Sequence, residues 1–321
     1  EKKAAPPAVA APAAAGTVAA APAAAPAKPI QPGTILPNAA PGTSFVLTGY
    51  AKVDGMWTDT SDGELADNNP SRDFYVPGAT PIGQPDEGTD FDAHAKQTRI
   101  NFGTDTLLAG GDKLSTRFEI DFFGSGTGNQ RVTNTYAPVL RHAYVQWREW
   151  LVGQTWSNFQ DVAALPDSVD FIGTTDGTVF VRQPQVRYTK GGFSLAVENP
   201  QTTMTPFGGP ADPNSTTWIV DTDDSTIPDL TARYAWKGTW GHFSVAGLAR
   251  ELAYETTGVN AIDANTWSMA GSLSGKFMIG KDDIRFMLLG GNLGRYVGLN
   301  FTTDAVLTGN DGAADLEAID G

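Results

Sequence analysis

The feature that most constrains this chain is the alternation of its connections between period-two segments. From Phe45 onward, apolar and polar residues alternate in about eleven segments that read as β-strands. The links between them run long (58–96), short (LLAGGD), medium (124–138), tight (Arg148-Glu149), long (158–178), tight (KGG), long (200–228), short (KGTWGH), medium (254–264) and short (GKDD). Such a rhythm puts short turns on one rim and long loops on the other, as in an up-and-down barrel that crosses a membrane. A soluble β-sandwich also alternates. Two features count against it: segments near ten residues rather than five or six, and aromatic residues at strand ends (Trp57, Trp147, Trp150, Trp236, Trp240), where an interfacial girdle sits. No run approaches the ~20 apolar residues of a membrane helix, so a membrane role requires a barrel.

The first residues, EKKAAPPAVAAPAAAGTVAAAPAAAPAKPIQPG, hold no aromatic and few large aliphatic side chains. Such a segment buries too little apolar surface to offset its chain entropy, so residues 1–43 read as a disordered Ala/Pro-rich spacer and 44–321 as the barrel. It lacks the continuous apolar core of a signal peptide. The absence of cysteine excludes a disulfide scaffold and thiolate metal sites. At the other end, parity of the turns predicts a long loop from about Gly291 to Gly312 and a twelfth strand beginning in LEAID. A barrel needs an even strand number, so the chain is expected to be a fragment lacking several C-terminal strands.

In the segment LRHAYVQWREWLVGQTWS the tight turn Arg148-Glu149 joins two strands into a hairpin with Trp147 and Trp150 at the membrane boundary. Alternation places His142, Tyr144 and Gln146 on one face, taken as inward, and Arg141, Ala143 and Val145 on the other. Arg141 then needs a subunit interface or the rim, and periodicity leaves the facing of Arg141 and Arg182 open. A charge on the lipid face is costly, so strand cations belong in the lumen or an interface. Candidates for the lumen are Lys52, Arg99, Arg117, His142, Arg187, Arg233, Arg250 and Arg285, with Gln183 and Gln185 beside them. A lumen holding many arginines attracts anions. The alternative is that they pair with Asp54, Glu119, Asp121 and Glu198 and only satisfy the interior.

Net charge is −14, yet residues 59–92 alone carry nine acids against one arginine, Arg72. Negative charge is thus concentrated in outer loops, and no specific metal site is read from it. The loop NFQDVAALPDSVDFIGTTDGT brings Asp161, Asp167 and Asp170 beside Phe159 and Phe171, so it reads as a constriction loop whose acids face arginines across the lumen.

The motifs LRHAYVQWREWLVGQTWSNF, VFVRQPQVRYT, LAVENP, LAREL and GRYVGL, in this order, resemble the DcaP-like porins, trimeric outer-membrane channels of Gram-negative bacteria. The resemblance covers roughly residues 45–321. It implies a barrel of about sixteen strands, a homotrimer in contact with outer-membrane lipid, passage of small anionic solutes such as dicarboxylates, and a loop after the fifth strand that folds inward. It assigns Arg99, Arg117, Arg187 and Arg233 to the pore lining together with Asp167 and Asp170. The Ala/Pro-rich start departs from the helical, coiled-coil-forming extension common in the family.

A passive channel requires no cofactor. A structural or surface-binding barrel with acidic loops is the alternative. A barrel enzyme is less supported: the chain has three histidines (His94, His142, His242) and neither G-x-S-x-G nor H-E-x-x-H. Nucleic acid is excluded as a partner, since no Lys/Arg run exists and the charge has the wrong sign.

Overall fold

A computed structural model describes residues 41–321 except 67–68, 78–79, 84, 86–87, 125–126, 132, 174–176, 210–218 and 299–301. Residues 1–40, and with them most of the expected spacer, lie outside the described residues.

Eleven strands form one antiparallel sheet in strictly sequential order. They are β1 (Thr43–Tyr50), β2 (Arg99–Leu107), β3 (Lys113–Asp121), β4 (Val139–Trp147), β5 (Trp150–Trp156), β6 (Arg182–Lys190), β7 (Phe193–Glu198), β8 (Asp229–Gly238), β9 (Gly241–Glu255), β10 (Asp263–Ile279) and β11 (Asp282–Gly291). Every neighbour in the sheet is a neighbour in sequence, and β1 and β11 are its two outer strands. Five short turns lie at one end and the long connections at the other, as the loop lengths predict. Arg148 at the tightest turn has φ 51°, and Gly191 and Gly280 supply left-handed φ values of 62° and 65° at two others, where a side chain would be strained.

Burial along this sheet is the reverse of a soluble protein's. Leu47, Ile100, Val152, Leu230, Met269, Ile284 and Leu288 are exposed, whereas Arg141, Gln183, Gln185, Ser194, Glu198, Thr231, Arg250 and Ser274 are buried. One face is therefore apolar and open to lipid, and the other is polar and covered by protein, which is the alternation of a membrane barrel. On the apolar face Trp150 packs on Tyr188, Trp236 on Phe243 and Trp240 on Phe277, with ring centroids 5.0, 5.7 and 5.5 Å apart, forming an aromatic belt near the short-turn rim.

Two local expectations are corrected. The first strand stops at Tyr50 instead of running to Trp57, because its partner β2 begins at Arg99 and no backbone is left to pair beyond it. Trp57 sits on a separate hairpin, Asp54–Thr58 with Asp90–His94, and packs on Phe91 at 4.8 Å. LEAID does not begin a twelfth strand of the sheet. Leu316–Ala318 pairs with Ala305–Leu307, which pairs in parallel with Thr202–Thr205, itself paired with Val220–Thr222. The reason is apolar: Leu316, Leu307, Ala305 and Met204 bury together against Leu252, Ile262 and Ala264. The segment expected as an open loop thus holds this strand and a short 3-10 turn, Gly294–Tyr296. Its Leu293, Tyr296 and Val297 pack on Phe159, Val179, Ala246 and Leu248 over the polar face of the sheet.

Candidate functional site

The segment after β5 folds across the polar face, held by a chain of bonds that starts at the strand end. Ser157 N donates to Val181 O at 3.0 Å, and the Asn158 amide N–H donates to Glu198 Oε1 at 2.8 Å. The Asn158 side chain accepts from Ser194 Oγ at 2.6 Å and donates to Thr231 O at 3.3 Å. Phe159 is 1% exposed and meets Tyr296 edge-on. Asp161 then caps the 3-10 turn Val162–Ala164, accepting from Ala163 N, while its Oδ2 lies 2.6 Å from His242 Nε2 and accepts from Ser274 Oγ at 2.8 Å. Farther along, Arg285 donates to Leu165 O at 2.6 Å and pairs with Asp167. One loop is thereby tied to β7, β8, β9, β10 and β11.

The three loop acids do different work. Asp161 is consumed as a buried latch. Asp167 is exposed and held by Arg285, whose hydrogen bond and charge keep its carboxyl below the usual range. Asp170 accepts from Tyr75 N and Gly173 N at 3.3 Å, so it joins loop to loop rather than facing the strand arginines.

The strand cations separate into paired and unpaired groups. On β2 to β4, Arg99 and Arg141 share Glu119 and Asp121, with Arg141 Nη1 2.6 Å from Asp121 Oδ2. Arg141 faces inward beside His142 because the β3–β4 register shifts between Glu119 and Ile120 and a bulge absorbs one residue. Arg117 bonds Asp105 at 3.0 Å, and His142 Nδ1 lies 3.0 Å from Thr155 Oγ1. Lys52 lies outside the sheet, bonded to Gln97 Oε1 at 2.7 Å and paired with Asp54 at 3.0 Å. Arg250 faces inward but is 1% exposed, locked between Asp229 and Asp304 beneath the C-terminal segment, with Arg295 on the same Asp229. Tyr296 completes that cluster, its hydroxyl donating to Asp229 Oδ2 at 2.8 Å; burial, with Glu198 and Asp229 beside it, pushes its phenol well above 10.

The unpaired group is smaller. A cavity of about 570 Å³ lies between the inward loop and the wall, lined by Gln160, Asp161, Arg187, Arg233, Lys237 and His242 among others. Among the described residues the Arg233 side chain donates to the Gln160 carbonyl alone, at 2.8 Å. Arg187 and Lys237 have no hydrogen-bonded or ion-paired partner among the described residues, and the one carboxylate in the wall, Asp161, is already engaged. Periodicity had placed Arg187 and Arg233 inward. Lys237 lies in register with His242 and could have been found by the same parity. No local signal marks Asn158, Gln160, Asp304 or Tyr296, whose contacts come from distant segments.

The model of the DcaP outer membrane protein family matches residues 88–287. The crystal structure of the outer membrane channel DcaP of Acinetobacter baumannii superposes with a TM-score of 0.63 at 22% identity, covering 87% of this chain and 71% of that one. A loop-deletion mutant of OmpT, an outer membrane protein of Vibrio cholerae, gives a TM-score of 0.45 at 12% identity over 78% of this chain and 70% of that one. No curated protein shows a significant match. With a family match across most of the sheet, and with apolar and polar faces arranged as a membrane barrel requires, the chain belongs to the DcaP outer membrane protein family.

Proposed function

We propose that this protein is the wall of a passive outer-membrane channel selective for small anions, short dicarboxylates among them, and that it works as a homotrimer. The observation that carries the selectivity is the 570 Å³ cavity lined by Arg187, Arg233 and Lys237, none of which is ion-paired with a carboxylate among the described residues. Fixed cations in a narrow aqueous passage raise the local anion concentration and repel cations. Residues Arg99, Arg117, Arg141 and Arg250 contribute less to that field, since their charges are offset at close range by Asp105, Glu119, Asp121, Asp229 and Asp304. The inward loop narrows the passage beside the cavity. The trimer rests on the resemblance of the motifs to the DcaP-like porins, and lipid contact is supported by the exposed apolar face.

The enzyme reading gains nothing from the cluster His242, Asp161 and Ser274. Both His242 Nε2 and Ser274 Oγ turn to the same oxygen of Asp161, so no serine-to-histidine bond exists to activate a nucleophile.

The test is the reversal potential of the full-length protein in planar bilayers under a salt gradient. Anion preference is expected, and Arg187→Gln combined with Arg233→Gln reduces it. A cation-preferring or unselective native pore rejects the proposal.

A further inference from the structure

On this reading of an anion channel, a second group of cations lies nearer the long-loop rim. Arg182 opens β6 opposite Trp156 of β5. Its guanidinium carbon stands 3.6 Å from the Trp156 ring centroid and 5.1 Å from that of Phe180. The Nε and Nη2 atoms are buried and have no acceptor among the described residues. These two atoms form the side-on edge of a guanidinium, the pair of parallel donors that fits the two oxygens of a carboxylate.

The surroundings leave that edge unfulfilled. Charged neighbours of Arg182 are Arg141, Arg99, Asp121 and Glu119. Both acids are committed: Asp121 takes Arg99, Arg141 and Phe123 N, and Glu119 takes Arg99, Arg141 and Asn101. Three arginines against two carboxylates leave one positive charge over, and it rests on Arg182, since Arg99 and Arg141 each pair with both acids. Buried donors without acceptors are costly, and so is a buried charge without a partner.

We infer that Arg182, walled by Trp156 and Phe180, is a carboxylate-binding subsite distinct from the Arg187 and Arg233 cavity. A planar carboxylate takes the side-on edge, and its apolar carbons lie against the two rings. One ring must swing aside to admit it. Arg182 and Arg187 lie five residues apart on one strand, or about 17 Å, too far for a short dicarboxylate to touch both at once. Trp156 borders both regions.

The test compares Arg182→Gln, Arg182→Lys and the pair Arg187→Gln/Arg233→Gln in full-length protein in planar bilayers, with succinate as the probe and the dwell time of its current blockades as the readout. Loss of a bidentate charge-assisted pair is expected to shorten the dwell time about tenfold, and Arg182→Lys does not restore it because a lysine has no side-on edge. Native dwell times in Arg182→Lys, or in Arg182→Gln, overturn the subsite. If Arg182→Gln fails to assemble into a heat-modifiable barrel, Arg182→Lys alone decides. When the Arg187→Gln/Arg233→Gln protein loses anion preference while the Arg182 variants keep native dwell times, the channel reading stands and the subsite falls. A native pore without anion preference removes the channel reading itself.

Discussion

Replacing Asp161 by alanine tests whether the inward loop is fixed by the contacts described. The carboxylate accepts from Ser274 Oγ at 2.8 Å and from Ala163 N at 3.2 Å, and His242 Nε2 lies 2.6 Å away. Ser274 is 2% exposed and His242 9%, so neither recovers a water partner easily. Two orphaned buried groups cost roughly 1–3 kcal/mol each and the lost cap about 1 kcal/mol, giving a loosening of about 4 kcal/mol at the far end of the loop. That is roughly a thousandfold rise in the opening equilibrium. Asn158 and Phe159 keep the near end docked, so the barrel persists. The assay is limited proteolysis of the detergent-solubilised protein, which reads the open population, with single-channel current noise beside it. Asp170→Ala serves as comparator, since the Asp170 carboxylate accepts just two bonds among the described residues, both at 3.3 Å, and its loss changes little. Native nicking rates and native noise in Asp161→Ala would refute the latch.

Three further outcomes are expected. Arg250→Met leaves Asp229 and Asp304 buried without their main counter-charge, a loss of about 3–5 kcal/mol that lowers the urea midpoint of unfolding. Met269→Arg puts a charge on the exposed apolar face of β10 and costs about 2–4 kcal/mol near the bilayer midplane; unchanged folding yield into vesicles would mean that Met269 does not meet lipid. Because Arg285 depresses the Asp167 carboxyl, its tether is fully present above the ordinary aspartate value of 3.8 and lost as pH falls through the lower bound-state value. Current noise should therefore be level from neutral pH down to that range and rise below it, and Asp167→Asn should abolish the acid step.

The sheet was legible because its signal is local. Alternation along each strand and the turn lengths between strands specify a meander, and those rules placed His142, Arg187, Arg233 and Arg285 on the inner face. They failed where a single residue is inserted: the bulge at Arg141 breaks parity, and nothing in the run VLRHAYVQW announces it. They also say nothing of what covers an inward residue. Arg250 obeys the periodicity, yet its partner Asp304 lies 54 positions away in a segment that reads as a loop. Trp57 carried the aromatic signature of a strand end but belongs to a separate two-stranded sheet among the described residues. The acidic loop was found, whereas the division of its three aspartates into latch, tether and loop clasp depends on His242, Arg285 and Tyr75, which no spacing connects to it.

The sequential order of the sheet has an evolutionary consequence. Since each strand pairs only with its immediate neighbours in the chain, a duplicated or deleted hairpin enters or leaves without rethreading any other connection. Barrel diameter grows with strand number. Pore calibre in such an architecture is therefore heritable in steps of two strands, while the long-loop rim is free to vary independently of the wall that sets it.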